Sequence, residues 1–61
     1  MKFNIVDWKG NQREVSKQEA VLTVGADMFK KMMADAVEMH DEDPDTQIEF
    51  MVSGGRLVIE F

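Results

Sequence analysis

The alternation of apolar and polar residues changes period twice along the chain. Phe3-Asn4-Ile5-Val6 alternates and carries β-branched and aromatic side chains, which predicts a strand with Phe3 and Ile5 on one face. Asp7-Trp8-Lys9-Gly10-Asn11 then reads as a hairpin turn, with Asp first and Gly fourth as in a type I turn closed by a left-handed glycine bulge. In that register Phe3 faces Val15 and Ile5 faces Arg13, with the second strand short, about Gln12 to Val15. A two-residue Gly10-Asn11 loop is the competing register; it pairs Val6 with Val15 and Trp8 with Arg13.

From Ser16 to Met39 the period becomes helical. Val21, Val24, Met28, Met32, Ala36 and Met39 recur at spacings of three and four, and Leu22, Phe29 and Met33 widen the stripe. Ser16-Lys17-Gln18-Glu19 fits a capping box: the Ser16 hydroxyl accepts from the Glu19 amide while the Glu19 carboxylate reaches back to the Ser16 amide. Val15 and Ala20 stand at the staple positions. Gly25 lies inside the apolar arc, where a missing side chain lets a helix approach a sheet closely, so one continuous helix is predicted. Against that, mid-helix glycine costs about 1 kcal/mol relative to alanine, and Val21-Leu22-Thr23-Val24 is a β-prone run. A break at Gly25 with a second helix from Ala26 is the alternative.

Alternation returns in Thr46–Val52 and in Arg56–Phe61, separated by Ser53-Gly54-Gly55-Arg56, which supplies the two positive-φ positions of a type I′ turn. That turn pairs Val52 with Leu57, Phe50 with Ile59 and Ile48 with Phe61, all apolar and on one face. The other face then pairs Met51 with Val58 and Glu49 with Glu60. The whole pattern predicts an α+β fold in the order β-β-α-β-β: a single domain, residues 1–61, with a four-stranded antiparallel sheet and one long helix packed on one face.

Length and composition narrow the function classes. A chain of 61 residues buries only about 60% of its unfolded surface, and scaffolds of this size often rely on disulfides, metals or a partner subunit. Cysteine is absent and His40 is the only histidine, which removes disulfides and the usual zinc ligand sets. No run approaches the ~18 apolar residues of a membrane span, and residues 1–7 do not read as a signal peptide, so a cytoplasmic protein without membrane contacts is expected.

The charge is lopsided. Residues 1–31 carry six basic and four acidic side chains, a net of +2, whereas residues 32–61 carry one basic and eight acidic, a net of −7. An acidic half disfavours direct nucleic-acid binding, which draws on Lys and Arg, and favours a basic partner steered by its field. Glu38, Asp41, Glu42 and Asp43 also crowd the predicted helix C-terminus, where the macrodipole favours cations.

Dedicated chemistry is sparse. Asp41, Asp43 and Asp45 have the spacing of the first calcium-loop ligands, but Pro44, Thr46 and Val52 break the rest of that pattern. Nothing surrounds His40 with a nucleophile, and no phosphate-binding glycine loop is present. Trp8, near a hairpin tip, fits either a binding hot spot or a lid over the core. Five internal methionines are mostly at core spacing, while Met51 faces away from the helix and, with Val58 and Val6 or Trp8, would form an apolar patch on the open sheet face.

The sequence therefore points to a non-enzymatic binding protein without cofactor or metal, an inhibitor or regulator. Its partner would be a basic protein, with a nucleic-acid-binding protein and nucleic-acid mimicry as the particular case. The residues expected to carry this are Asp35, Glu38, Asp41, Glu42, Asp43, Asp45, Glu49 and Glu60, joined by Trp8 and Met51. The alternative is a homo-oligomerisation module (a homodimer being the simplest case) or a structural module, using the open sheet face or an edge strand, with the acidic run only solubilising.

Overall fold

A computed structural model describes all 61 residues. Its elements are β1 (Lys2–Asp7), β2 (Gln12–Val15), α1 (Lys17–Val24), α2 (Ala26–Glu42), β3 (Ile48–Val52) and β4 (Gly55–Glu60). The four strands form one antiparallel sheet in the order β2-β1-β4-β3, an α+β fold as predicted. The pairing of β1 with β4 joins the two hairpins, leaving β2 and β3 at the edges.

The first hairpin takes the type I turn. Phe3 stands opposite Val15 and Ile5 opposite Arg13, Gly10 N–H donates to the Asp7 carbonyl at 3.0 Å, and Gly10 has φ of 89°. The Asp7 carboxylate fixes the loop from inside, accepting from the Lys9 and Asn11 amides at 2.9 Å each. A two-residue Gly10-Asn11 loop would forgo these bonds.

The predicted continuous helix is broken at Gly25. There φ is 91° and ψ 145°, an extended conformation nearly reserved for glycine. Gly25 nevertheless serves both helices: its N–H donates to the Val21 carbonyl at 2.8 Å and its carbonyl accepts from Phe29 at 2.9 Å. The break resets the helical phase, so α2 buries Phe29, Met32 and Ala36, while Leu22 (79% exposed) and Met28 (51% exposed) leave the stripe that a continuous helix would have given them. At its far end α2 runs three residues past Met39 and absorbs His40, Asp41 and Glu42.

The capping box forms by half. Ser16 Oγ accepts from the Glu19 amide at 3.1 Å, but the Glu19 carboxylate turns to Arg13 at 2.6 Å. Val15 and Ala20, the staple pair, are both buried in the main core cluster with Phe3, Phe29, Ile48, Leu57 and Ile59.

The second hairpin corrects the predicted register by two residues. Val52 pairs with Gly55, Phe50 with Leu57 and Ile48 with Ile59, so the loop is Ser53-Gly54. Only Gly54 in that loop has positive φ, at 88°, which is the sign pattern of a type II turn and not of type I′. The cause is Gly55. It enters β4 opposite Asp7 of β1, and a Cβ there would stand 2.0 Å from the Val6 carbonyl oxygen. Gly55 is needed inside the strand, and the loop moves back by one position. A two-residue shift keeps every side chain on its face, so Ile48, Phe50, Leu57 and Ile59 still point to the helices. It also separates Glu49 from Glu60: Glu49 faces Val58, and Glu60 faces Lys2.

Two glycine substitutions test this account in urea unfolding. Gly55→Ala forces a carbonyl clash and is expected to cost about 3 kcal/mol or more. Gly25→Ala meets nothing within 4 Å and is expected to cost only the backbone strain, about 1–3 kcal/mol. A Gly55→Ala protein as stable as wild type would contradict the observed register.

Candidate functional surface

Two hydrogen-bonded turns and the end of α2 set the geometry of the acidic surface. Asp35, Glu38 and Glu42 lie three and four residues apart, on one exposed face of α2. Asp41 stands on the same last turn, and Asp43 and Asp45 follow in the loop that leads into β3. Glu60, at the end of β4, extends the negative surface onto the helix-free face of the sheet, where Glu49 of β3 also lies but is paired with Arg56.

Asp43 has a structural task within this group. Its carboxylate accepts from the Asp45 amide at 3.2 Å and from the Thr46 hydroxyl, and its carbonyl accepts from the Thr46 amide at 3.1 Å. These bonds fold the loop back towards Ile48. The Thr46 hydroxyl, and after it the Asp45 amide, holds the Asp43 carboxyl below its ordinary value of 3.8. At the other end of the molecule the Asn11 amide is the main cause lowering Asp7, aided by the Asn11 side chain and the Lys9 and Gly10 amides.

The molecule has two ion pairs, Arg13–Glu19 at 2.6 Å and Arg56–Glu49 at 3.1 Å. Of the eight carboxylates singled out in the sequence, Glu49 alone is neutralised; the other seven are exposed without an ion-pair partner. The α2 terminus therefore keeps its unfavourable charges against the dipole. No group of three or more His, Asp or Glu side chains is placed to hold a metal ion. His40 stacks on Phe61, with ring centroids 4.3 Å apart and planes 18° from parallel.

Trp8 and Met51 do not join the carboxylates. Both hairpin tips lie at one end of the sheet, because Asp7 pairs with Gly55, and the acidic loop enters at the other. Trp8 is 68% exposed at its tip and does not close the core. The predicted patch on the open sheet face is also absent. Val6 and Val58 are buried there at 7% exposure each, and only Met51, 65% exposed at the edge, stays open. Central strands explain this: longer side chains on β2 and β3 flank the two valines.

A hollow of about 770 Å³ runs across this open face to the acidic loop, reaching from Val6 and Gln12 to Pro44 and Thr46. A smaller one of about 250 Å³ lies where Met28 and Met32 of α2 meet Met51 and Val52 of β3. The second was not foreseen, since a continuous helix would have put Met28 in the core; the sequence signal for it is the β-prone run before Gly25.

No helix is long and apolar enough to cross a membrane. Comparison with protein families, curated proteins and solved structures finds no match to this chain. The fold and the surface together define a small α+β domain with an unneutralised acidic end.

The loop bonds have a pH consequence. A carboxyl lowered in the folded state stabilises the fold above its unfolded pKa, near 3.8, and loses that contribution as pH falls through the lower folded value. Carboxyl carbon titration by NMR is therefore expected to place Asp7 and Asp43 below 3.8. In Thr46→Val the Asp43 midpoint should rise towards 3.8; an unchanged midpoint would remove the hydroxyl as its cause.

Proposed function

We propose that this protein is a non-enzymatic binding protein, acting as an inhibitor or regulator by presenting its acidic surface to a basic protein partner. The observation that supports this reading most is the set of seven exposed carboxylates without ion-pair partners, concentrated on the C-terminal half of α2, the following loop and the end of β4. A sequence under selection for stability alone gains from placing cations at a helix C-terminus, each worth about 0.3–1 kcal/mol. Here Asp41 and Glu42 occupy the last turn beside His40. Accepting that cost is understandable where the field itself does the work, by speeding the encounter with a basic groove. Where such a groove ordinarily holds DNA or RNA, the protein would occupy it as a mimic of the phosphate backbone.

The test is affinity capture from the native cell lysate at two salt concentrations, followed by direct titration of the captured partner. A triple variant, Asp35→Lys, Asp41→Lys and Glu42→Lys, leaves the structural Asp43 in place. It is expected to lose at least ten-fold in affinity at low salt, with most of the loss in association rate. Full binding by the triple variant at low salt would contradict the reading.

A further inference from the structure

The β3 edge is open. In a hairpin closed by a two-residue turn the closing pair is hydrogen-bonded, and pairs alternate from there. With Val52 opposite Gly55, the Ile48, Phe50 and Val52 amides bond to β4. The N–H and C=O groups of Glu49 and Met51 point outwards with no strand beyond them. Most edges are blunted by charge, proline or shortness. The β2 edge fits that rule, being four residues long with Arg13 and Glu14 at its middle. The β3 edge does not: Ile48-Glu49-Phe50-Met51-Val52 contains one charge and no proline.

A wall stands beside this edge. Phe29 of α2 meets Phe3 of β1 with centroids 5.6 Å apart, so that side of the helix faces the sheet centre. Met28 and Met32 line the smaller hollow together with Met51 and Val52 at the edge strand, which places the other flank of the helix beside β3. Asp35, Met39 and Glu42 follow Met28 at seven, eleven and fourteen residues, within about 40° of it around the helix. The flank thus runs from the methionine hollow at the Val52 end to carboxylates at the Ile48 end.

We propose that the free edge of β3 is a strand-addition site for an extended segment of a partner protein, basic at one end and apolar at the other. The segment's backbone bonds to Glu49 and Met51, its apolar end fills the hollow between Met28, Met32 and Met51, and its Lys or Arg side chains meet Asp35 and Glu42. Charge selects this occupant over a second copy of the chain. Antiparallel pairing of two β3 strands would set the two α2 helices side by side on one face of the joined sheet, each bringing Asp35, Glu38 and Glu42 against the same residues of the other. The inference rests on the acidic-surface reading and adds to it where the partner docks and in what conformation.

The experiment uses the ¹⁵N-labelled full chain and two hexapeptides, Lys-Lys-Lys-Val-Leu-Val and its reversed order, since a strand can add in either direction. Hydrogen exchange at the Glu49 and Met51 amides is the readout. One of the two peptides is expected to slow both amides at least ten-fold at saturation. N-methylation of alternate peptide nitrogens should abolish this, and Met28→Asp or the pair Asp35→Lys and Glu42→Lys should weaken binding at least five-fold. Because N-methylation alters only the peptide, that arm does not depend on a variant folding. Peptide shifts confined to residues 41–45, with exchange at Glu49 and Met51 unchanged, overturn strand addition and leave the acidic-surface reading standing. Equal protection by a peptide with Glu in place of Lys overturns both. Protection that grows with protein concentration without peptide assigns the edge to a second copy and overturns the proposal, as does the absence of any binding.

Discussion

The contact on which the structure depends is the pairing of β1 with β4, which at Gly55 leaves no room for a side chain. Each hairpin is local, but a two-stranded hairpin is barely stable alone in water, and neither covers a core. Six pairs from Lys2–Glu60 to Asp7–Gly55 join them across most of the chain's length. At the last of these pairs the backbones approach so closely that a methyl group could not be inserted. That one position fixes the turn as Ser53-Gly54, sets which amides of β3 face inwards, and so decides which backbone groups the edge presents.

Gly25 has a comparable influence on the helical layer. By closing α1 and opening α2 with its own N–H and carbonyl, it changes the helical phase without leaving either terminus bare. The cost in backbone strain is offset by what the new phase buries, Phe29 against Phe3 and Met32 and Ala36 against the sheet. The same rotation carries Met28 outwards to the β3 edge. A structural irregularity and a surface feature thus share one cause.

Much of this was legible in the sequence, for identifiable reasons. Alternation in Phe3–Val6, Thr46–Val52 and Arg56–Phe61 marked strands and their inward faces, and Asp7 with Gly10 marked the first turn. Ser16 marked the helix start. The second register escaped because both candidate turns keep the same residues inside; apolar matching cannot separate registers that differ by two. What decides between them is the nearness of β1 to Gly55, a contact between residues some fifty apart. The helix break escaped because a glycine in an apolar arc fits close packing as well as it fits a break. Among the site residues, the exposure of the carboxylates followed from their number and position, whereas the loop-holding role of Asp43 required the positions of Asp45 and Thr46. The open-face patch failed because Val6 and Val58 lie on central strands, and the sequence does not state strand order.

The second hairpin closes at Val52–Gly55, which leaves the Glu49 and Met51 amides on a free edge. Amide hydrogen exchange in the unliganded protein at low concentration tests it most directly, because shifting the register by two residues exchanges the inward and outward amides. Slow exchange is expected at Ile48, Phe50 and Val52 and fast exchange at Glu49 and Met51. Slow exchange at Glu49 and Met51 with fast exchange at Phe50 and Val52 would contradict the register, and with it the edge and the surface built beside it.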